Sequence, residues 1–573
     1  MKKRSWGLGL GFFILLSVIM FSSLSIEERK DFKLNYSDKS NGAQKPDKEK
    51  KISNPLNTVK LVDNEEIYSE DEDSQVDKLY VTVLPPQSND AVTLEDLNAN
   101  INNANKDHVS DDMDPVVEIV FSGKQLNKDN NSTYVPNATM EIRGQSSRFY
   151  NQKSYKIKLF DNTEKWKGFK TINLNKHSSD PLRIRNKLSF DYFEMLPDFV
   201  SLRTRFVELY IRDLSSENQD DKFRSYGLFT FIEQSNKRFL KRHNLDPNAQ
   251  LYKAEYFEFF RYPDKLKTKE DITYDNNKFE EILEMRGNDD HKKLIEMLEA
   301  VNNYNRDINE VVDKYFDRDN LLTWVGVNIL INNYDTNSRN FLLYSPLNSD
   351  KWFFIPWDYD GAWSEKVFRG KWRKGLSTYW GMVLFNRFFK DANNVEELSK
   401  KIEELSNTIN EENTSKFLDS YYGLVKKSVF KSPDVDYIES TPVKFEKDYY
   451  SIAGITEKNK KYYYESLENP MPFFLGEPKN RDGSYSFNWS PSYDLQADDL
   501  SYEFILSSDY EFKNIIVNYK DLKSTNCKVD GLNPGEYFWK VIAYDSKGNW
   551  QEAFDLVRED GKEITGSKRI IIQ

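Results

Sequence analysis

Alternating hydrophobic and polar positions begin near Lys78, after a long polar stretch, and predict a strand-rich region. The runs LYVTVL and VVEIVF are typical of strands, because successive side chains of a strand point to opposite faces. One stretch, Leu182–Leu196, has the spacing of a helix instead. Four further runs have strand character: Thr139–Arg143, Lys153–Phe160, Phe206–Ile211 and Tyr226–Glu233. The pattern therefore predicts a sheet-rich lobe over about residues 78–235.

From Lys237 the hydrophobic residues recur every three or four positions, which is the spacing of amphipathic helices. The first such segments are KRFLKRHNL, FEEILEMRG, HKKLIEMLEAVNNY and DNLLTWVGVNILINN. Later helices are expected at Asn394–Thr408, Thr414–Phe430 and Glu439–Leu467. We therefore predict a helical lobe over about residues 236–467, which together with the sheet-rich lobe makes one domain of class α+β.

The last hundred residues return to short strands punctuated by Asn, Pro and Gly, as in YSFNWSPSYD, LSYEFILSS and LNPGEYFWKVIAYDSKGNW. This segment resembles a fibronectin type III module, with Trp489 as its early core tryptophan and Tyr537 and Trp539 on its late strand pair. We predict an all-β immunoglobulin/fibronectin III-like sandwich over residues 468–573, serving as a spacer or binding unit.

The N-terminus carries the pattern of an export signal. Lys2, Lys3 and Arg4 precede an uncharged stretch, Ser5 to Ile26, which as a helix is long enough to cross a bilayer. Either residues 1–26 remain as a membrane anchor, with the body outside the cytoplasm, or they are cleaved and the body is secreted. Residues 27–77 are polar and charged, and they predict a disordered stalk.

Composition narrows the possible partners and cofactors. The formal net charge of −12 argues against a nucleic acid as the main partner, because a polyanion is bound by an excess of Lys and Arg. With the single cysteine Cys527 the chain forms no internal disulfide, and its four histidines lack metal-ligand spacing. Any metal is therefore expected to be a hard cation held by carboxylates. The sequence favours no particular oligomeric state.

The most informative segment is VNILINNYDTNSRNFLLYSPLNSDKWFFIPWDYDGAW. A helix to about Asn332 is followed by a polar loop and by two apolar runs, Phe341–Tyr344 and Lys351–Ile355, which the turn-forming SPLNSD joins into a hairpin. Pairing about this turn is expected to place Asn340 opposite Ile355.

At the open end of that hairpin Asp335, Asn340 and Asp358 are expected to meet, with Asp360 directly after them. A separate carboxylate, Asp335, has the offset needed to accept the proton of a hydroxyl nucleophile. Asp358, Asn340 and Asp360 have the oxygen ligands that a divalent cation on a nucleotide requires. The structural alternative is that these residues only cap turns. The layout matches that of kinase-like phosphotransferases.

Several motifs in order resemble the spore coat protein H (CotH) type of atypical protein kinase. They are MEIRGQSSRFYNQKSYKIKLFD, LRIRNKLSFDYF, SYGLFTFIEQSNKRFL, NNYDTNSRNFLLY and IPWDYDGAW, and they cover roughly Met140 to Trp363. The resemblance implies a bilobal atypical protein-kinase-like domain, ATP with Mg²⁺ or Mn²⁺, and phosphate transfer to Ser or Thr of a protein. It also implies a role in spore coat or cell-surface assembly.

By this resemblance Asp335 is the catalytic-loop aspartate and Asp358 the metal-binding aspartate. Arg143 in the RGQSS turn is implied to contact phosphate, and Ser146, Ser147 and backbone amides of the turn are expected to cradle it, since no G-x-G-x-x-G loop is present. Either Lys153 or Lys156 is expected to face the nucleotide, because the two lie on opposite strand faces. The Lys-Ser-Tyr motif favours Lys153.

Three more positions carry weaker assignments. Glu233, where the two lobes join, resembles the adenine-binding connection of kinases, through backbone atoms or as a structural carboxylate. Asn186 is expected to contact either a phosphate or a neighbouring loop. Trp357 and Trp363 flank the acidic motif and either stack on the base or pack in the core.

Two rival functions differ in class from a kinase. Predicted export, away from cellular ATP, favours a non-catalytic coat or adhesion protein that binds through a kinase-like fold and the C-terminal module. The absence of HRD and DFG tripeptides is compatible with both that alternative and an atypical kinase. A glycoside hydrolase using the paired carboxylates as acid and base has no supporting motif beyond carboxylates near tryptophans.

Overall fold

The computed structural model describes residues 60–70, 75–88, 91–99, 115–124, 134–144, 146–197, 199–216, 221–364, 370–481 and 483–572. These residues divide into two compact units. The larger unit is built from the described parts of Val59–Lys366 and Met382–Tyr462, and the smaller from those of Val367–Gly381 and Tyr463–Gln573. The segment Val367–Gly381 thus groups with the C-terminal strands, although it lies inside the range predicted for the kinase-like domain.

The predicted export segment, residues 1–26, lies outside the described residues. Within the part of the chain that the structure describes, every helix is too short or too polar to cross a bilayer.

The strand-rich part of the larger unit closes into a barrel with the strand order β1-β2-β3-β4-β5-β7-β6. Neighbouring strands are antiparallel except β1 and β6, which close the barrel as a parallel pair. Two helices, α1 (Leu94–Ala99) and α2 (Arg185–Glu194), lie between strands in the sequence. The strands are β1 (Asp77–Val83), β2 (Val117–Ser122), β3 (Ala138–Arg143), β4 (Ser154–Leu159), β5 (Thr171–Asn175), β6 (Thr204–Asp213) and β7 (Arg224–Ile232). Six of these strands were predicted, and β5 was missed.

Alternation along the barrel strands separates a hydrophobic interior from a polar outer face. On β4 the side chains of Tyr155, Ile157 and Leu159 belong to the barrel core. Lys156, between them, points outward and forms a buried ion pair with Glu141 on β3. The outer face of β3 and β4 is therefore charged and yet covered by other parts of the unit.

The helical part of the larger unit also contains a four-stranded sheet of order β11-β10-β8-β9. Its strands are β8 (Gln250–Ala254), β9 (Leu283–Met285), β10 (Phe341–Ser345) and β11 (Phe353–Pro356). The helices are α3 (Lys237–Arg242), α4 (Asn276–Glu280), α5 (Lys292–Asn302), α6 (Ile308–Tyr315), α7 (Arg318–Leu330), α8 (Val383–Phe388), α9 (Ala392–Ser406), α10 (Glu411–Val429), α11 (Pro442–Ser451) and α12 (Ile455–Leu467). The mixed α+β class is confirmed.

Two predicted helices in this part were wrong in extent. The segment FEEILEMRG was expected to be one helix, but it ends α4 and then forms β9, which pairs with β8. Pairing wins because Glu284 of β9 lies opposite Lys253 of β8, within 3.5 Å of its ammonium group. The helix predicted over Glu439–Leu467 is divided into α11 and α12 by a 3₁₀ turn, Ile452–Gly454.

Residues 60–70 lie within the range predicted as a disordered stalk, but they pack on the larger unit. Leu61 and Tyr68 are buried, and a 3₁₀ turn covers Glu65–Glu70. The Tyr68 hydroxyl donates to Asp63 Oδ2 at 2.5 Å, and Asp63 Oδ1 lies 2.6 Å from Nδ1 of His243. The ordered structure therefore begins earlier in the chain than the sequence pattern predicts.

The C-terminal strands of the smaller unit form the predicted all-β region, with two facing sheets and a separate two-stranded sheet, β19-β20. One sheet has the order β12-β13-β16, and the other has β15-β14-β17-β18 with β21 paired to β17. Phe487 and Trp539, from opposite sheets, meet at 5.1 Å between ring centroids and centre the core. The strands are β12 (Lys479–Arg481), β13 (Ser484–Asn488), β14 (Ser501–Ser507), β15 (Ile515–Leu522), β16 (Asn526–Asp530), β17 (Gly535–Tyr544), β18 (Trp550–Glu552), β19 (Leu556–Glu559), β20 (Lys562–Thr565) and β21 (Ser567–Ile572).

Candidate functional site

The β10–β11 hairpin forms as predicted, but its register differs from the expected one. Phe341 pairs with Pro356 and Leu342 with Ile355, so Asn340 continues the register opposite Trp357 rather than Ile355. The predicted register was wrong because Trp352 does not join the hairpin. Its backbone N–H donates to the carbonyl of Tyr315 at 2.7 Å, which leaves Phe353 as the first residue of β11. Asn340 and Asp358 still emerge side by side at the open end.

Asp335 lies in a 3₁₀ turn, Tyr334–Asn337, that directly follows α7. The Asn340 amide nitrogen donates to Asp335 Oδ2 at 3.3 Å, and both side chains are half-buried. Asn340 has a φ of 60°, in the left-handed region that Asn tolerates better than most residues. The hydrogen bond from the Asn340 amide therefore orients the Asp335 carboxylate.

Asp358 follows β11 with a φ of 55° and sits in a strongly negative environment. The pKa of its carboxyl is raised to about 7, chiefly by burial and also by the carboxylates of Asp360 and Asp335, while Arg143 and Lys253 oppose the shift. Groups that shift one another in this way lie close together. Asp335 and Asp360 therefore act electrostatically on Asp358, as Arg143 does, and we call the three aspartates the carboxylate cluster.

Asp360 differs from Asp358 because it has a partner of its own. Burial disfavours its charged form, but a hydrogen bond and the charge of His177 outweigh this effect and hold the pKa of Asp360 below its ordinary value. His177 Nδ1 lies 3.9 Å from Asp360 Oδ2, and the Ser179 hydroxyl donates to the same oxygen at 3.3 Å. The sequence analysis did not assign a role to His177, because His177 comes close to Asp360 only in the folded chain.

Helix α2 contacts the loop that carries Asp358 and Asp360. Asn186 Oδ1 accepts from the backbone N–H of Tyr359 at 3.2 Å, so Asn186 contacts the neighbouring loop, which is one of its two predicted roles. The amide nitrogen of Asn186 is buried and, among the described residues, has no hydrogen-bond partner. Trp363 is fully buried, donates to Ser189 Oγ at 2.9 Å and stacks on Tyr192, which is core packing.

The RGQSS turn between β3 and β4 is closed by its own hydrogen bonds. Gly144 has a φ of 83°, and a Cβ there would lie 2.2 Å from Ser147 Oγ, so this position requires glycine. The Ser147 hydroxyl donates to the carbonyl of Arg143 at 3.0 Å, and the following 3₁₀ turn begins at Ser146. The turn is thus preorganised, and the Ser147 proton is used to close it.

The two candidate lysines have different surroundings. Lys153 lies just before β4, where its ammonium donates to the carbonyl of Arg148 at 2.5 Å. Burial, together with Arg148, lowers the pKa of Lys153. Lys156 lies on the outer face of β4, 3.1 Å from Glu141 Oε1, and Arg143 projects from the same face two residues beyond Glu141. Arg143 itself donates to Asn175 Oδ1.

Glu233 and Trp357 are used for packing and pairing. The Glu233 carboxylate is fully buried and pairs with Arg242 and with Nε2 of His243, 3.0 Å away. Burial opposes its ionisation, but these cations hold the pKa of Glu233 below its ordinary value. Trp357 is 6% exposed. The guanidinium carbon of Arg286 lies over the Trp357 ring, 4.5 Å from the ring centroid. Both arrangements agree with the structural alternatives stated for these two residues.

Two cations near the carboxylate cluster were missed in the sequence. Lys253 on β8 acts on Asp358 and also pairs with Glu255 and Glu284. Arg339 lies over the ring of Tyr256 at 4.6 Å, and the charge of Asp335 helps to raise its pKa against the effect of burial. Arg339 stands between Asp335 and Asn340 in the sequence, so its position was a usable signal. Lys253 reaches the cluster only through the sheet.

The donor atoms of these side chains are of the type that divalent cations bind. Asp335, Asp358 and Asp360 offer carboxylate oxygens and Asn340 an amide oxygen, which are hard ligands of the kind that Mg²⁺ and Mn²⁺ prefer. Burial is the main cause of the raised pKa of Asp358, and the charges of Arg143 and Lys253 do not offset it. A bound cation would stabilise the ionised form of Asp358.

Comparisons with known proteins match the same region. A family model described as CotH kinase protein matches residues 140–463. The chain is also similar to the inner spore coat protein H of Bacillus subtilis (strain 168), with 26% identity over 230 residues. That match covers 39% of this chain and 58% of the relative, so the chain spans less than two thirds of the relative's length. The whole carboxylate cluster lies inside the family match.

Proposed function

Since the chain belongs to the family of CotH kinase proteins, we propose that it is an atypical protein kinase that transfers the γ-phosphate of ATP to Ser or Thr of a protein. The observation that carries the proposal is the under-neutralised cluster of Asp335, Asp358 and Asp360, in which the pKa of Asp358 is raised to about 7. The Mg²⁺ or Mn²⁺ that accompanies ATP would supply positive charge to this cluster.

Asp335 is the candidate for the general base. Its Oδ2 accepts the amide proton of Asn340, which orients the carboxylate that would accept the proton of a substrate hydroxyl. The turn after α7 is short and held by the buried helix, so the carboxylate is positioned before substrate binds.

Asp358, Asp360 and Asn340 would hold the divalent cation. When bound, the cation neutralises charge on the transferring phosphate and on its leaving group. His177 and Ser179 contact the Asp360 carboxylate and position it. Asn186 accepts a hydrogen bond from the backbone of Tyr359, between the two aspartates, and so holds the loop.

Arg143 and Lys156 are the proposed phosphate contacts. Both project from the outer face of the barrel, and Arg143 acts electrostatically on Asp358, which places this face beside the carboxylate cluster. Lys153 was favoured by the sequence, but it already donates to the carbonyl of Arg148 at the far side of the turn. We therefore propose Lys156, oriented by Glu141, as the lysine that contacts the nucleotide.

We further propose that the barrel and the helical part of the larger unit act as the two lobes of a kinase-like fold. The similarity to an inner spore coat protein supports a place in spore coat assembly, on the coat itself or at a cell surface. The protein substrate would then be a coat or envelope component with accessible Ser or Thr.

The full chain incubated with ATP labelled at the γ-phosphate, and with Mg²⁺ or Mn²⁺, is expected to label itself or a Ser-rich protein. Asp335→Asn should lower the rate about a thousandfold, because a positioned base contributes roughly 10²–10⁴-fold. The matched control is Asp350→Asn, an exposed aspartate on the loop of the same hairpin, which should leave the rate unchanged.

Lys156→Met should raise the KM for ATP strongly, and Lys153→Met should do so weakly. If the full chain neither transfers phosphate nor binds ATP with either metal, the proposal fails, and the non-catalytic coat or adhesion function takes its place.

A further inference from the structure

A second acidic cluster lies at one end of the smaller unit, away from any residue used above. Asp494 is in the loop between β13 and β14, Asp498 precedes β14, and Asp545 follows β17. Because Ser501 of β14 pairs with Tyr544 of β17, the start of one strand and the end of the other are adjacent. One carboxylate oxygen from each of the three aspartates lies within 4.8 Å of those of the other two.

One oxygen of this cluster is buried without a partner. Asp494 is only 6% exposed, and its Oδ1 accepts the backbone N–H groups of Gln496 and Asp498, each at 2.9 Å. Its Oδ2 is fully buried and has no hydrogen-bond partner among the described residues. A buried carboxylate oxygen left without a partner is costly, so a ligand that satisfies it would stabilise the loop.

The other two aspartates of the cluster are held by hydrogen bonds and an ion pair. Asp545, 6% exposed, accepts the backbone N–H groups of Lys547 and Asn549 through Oδ1, at 2.9 and 2.8 Å. Asp498 is half-buried and pairs with the ammonium of Lys547 at 2.8 Å. The side chain of Lys547 is 53% exposed, and the Asn549 amide donates to Asp545 Oδ2 at 2.8 Å.

We propose that Asp494 Oδ2, Asp498 and Asp545 form a Ca²⁺ site that joins the β13–β14 loop to the β17–β18 loop. Oxygens bound to one Ca²⁺ at a Ca–O distance of about 2.4 Å lie no more than about 4.8 Å apart, and the three carboxylate oxygens stay within that limit. The donors are all oxygens, as Ca²⁺ requires. The half-exposed side of Asp498 leaves room for the water ligands that complete its coordination.

Titration calorimetry of the full chain with CaCl₂, in the absence of nucleotide, tests the site. One Ca²⁺ is expected to bind with a Kd of about 10⁻⁴–10⁻³ M or tighter, the range of extracellular Ca²⁺ modules. Asp545→Asn and Asp494→Asn should each weaken binding at least tenfold, whereas Asp530→Asn, an exposed aspartate at the end of β16, should not change it. Binding should persist in Asp358→Asn, which separates this site from the proposed kinase metal.

Lys547→Met supplies a test that does not depend on a buried substitution. Removing the ammonium that pairs with Asp498 should tighten Ca²⁺ binding several-fold, because Lys547 competes with the cation for this carboxylate. The proposal is overturned by an affinity that Lys547→Met leaves unchanged, by Ca²⁺ binding that survives Asp545→Asn at full strength, or by a full chain that shows no binding up to about 10 mM.

Discussion

Two groups of buried carboxylates in the larger unit have opposite electrostatic surroundings. Glu233 is paired with Arg242 and His243, and its pKa is lowered even though burial alone would raise it. Asp358 faces Asp360 and Asp335, and its pKa is raised to about 7. The chain supplies the counter-charges of the first group, so that group is complete as a structural element. It leaves the second group negative, which is what a site for an external cation requires.

The largest expected effect comes from removing the charge of Asp358. We expect Asp358→Asn to lower the phosphotransfer rate by about a thousandfold or more, because the proposed cation loses a charged ligand. In EDTA at pH 8, the same substitution should raise the free energy of unfolding above that of wild type. An acid whose folded-state pKa is raised is destabilising above that pKa, and the neutral amide removes the repulsion. Chemical denaturation and the labelled-ATP assay measure the two effects.

The comparison would break down if Asp358→Asn unfolded more easily than wild type in EDTA. That result would show that the carboxylate is already neutralised inside the protein, as Glu233 is. A wild-type chain whose melting temperature did not respond to Mn²⁺ with ATP would point the same way.

Glu233→Gln should show the reverse behaviour. Losing this carboxylate leaves His243 and Arg242 buried without their partner, and breaking a buried pair costs about 3 kcal/mol. Urea denaturation should report this loss of unfolding free energy, while the folded fraction keeps its phosphotransfer rate. The matched control is Glu412→Gln, whose exposed pair with Lys416 should contribute little. A stable but inactive Glu233→Gln would instead make this carboxylate part of the nucleotide site.

The residues around Asp358 and Glu233 also differ in how far their contacts could be predicted from the sequence. Asp335, Asn340 and Asp358 come together through one helix, one turn and one hairpin, all local in the chain, and their meeting could be predicted despite a register error of two residues. His177 and Lys253 reach the cluster through long-range contacts, which no local pattern specifies. His243, a partner of Glu233, also contacts Asp63. Asp63 lies in a polar stretch that the sequence pattern predicts to be disordered.

The barrel shows the same limit at the level of the fold. Its six predicted strands have clear alternation, whereas β5, with the short sequence TINLN, carries only two buried apolar residues and was missed. Closure depends on the parallel pairing of β1 with β6, in which Asp77 meets Val207 across more than a hundred residues. Alternation along single strands contains no information on such pairing.

The smallest expected effect concerns pH and His243, at the centre of the satisfied group. Burial alone would lower the pKa of His243, but Glu233 and Asp63 raise it to about 9. Because the folded-state pKa exceeds the unfolded value of about 6.5, the stabilisation is fully present below pH 6.5 and is lost as pH rises through 9. The free energy of unfolding of wild type should therefore fall across this window, and the fall should be smaller in His243→Gln. His291, whose pKa burial lowers to about 4, is neutral throughout this range, so His291→Gln should keep the wild-type slope. An equal slope in wild type and His243→Gln would show that the imidazole is neutral when folded, and Glu233 would then lack one of the two cations that distinguish it from Asp358.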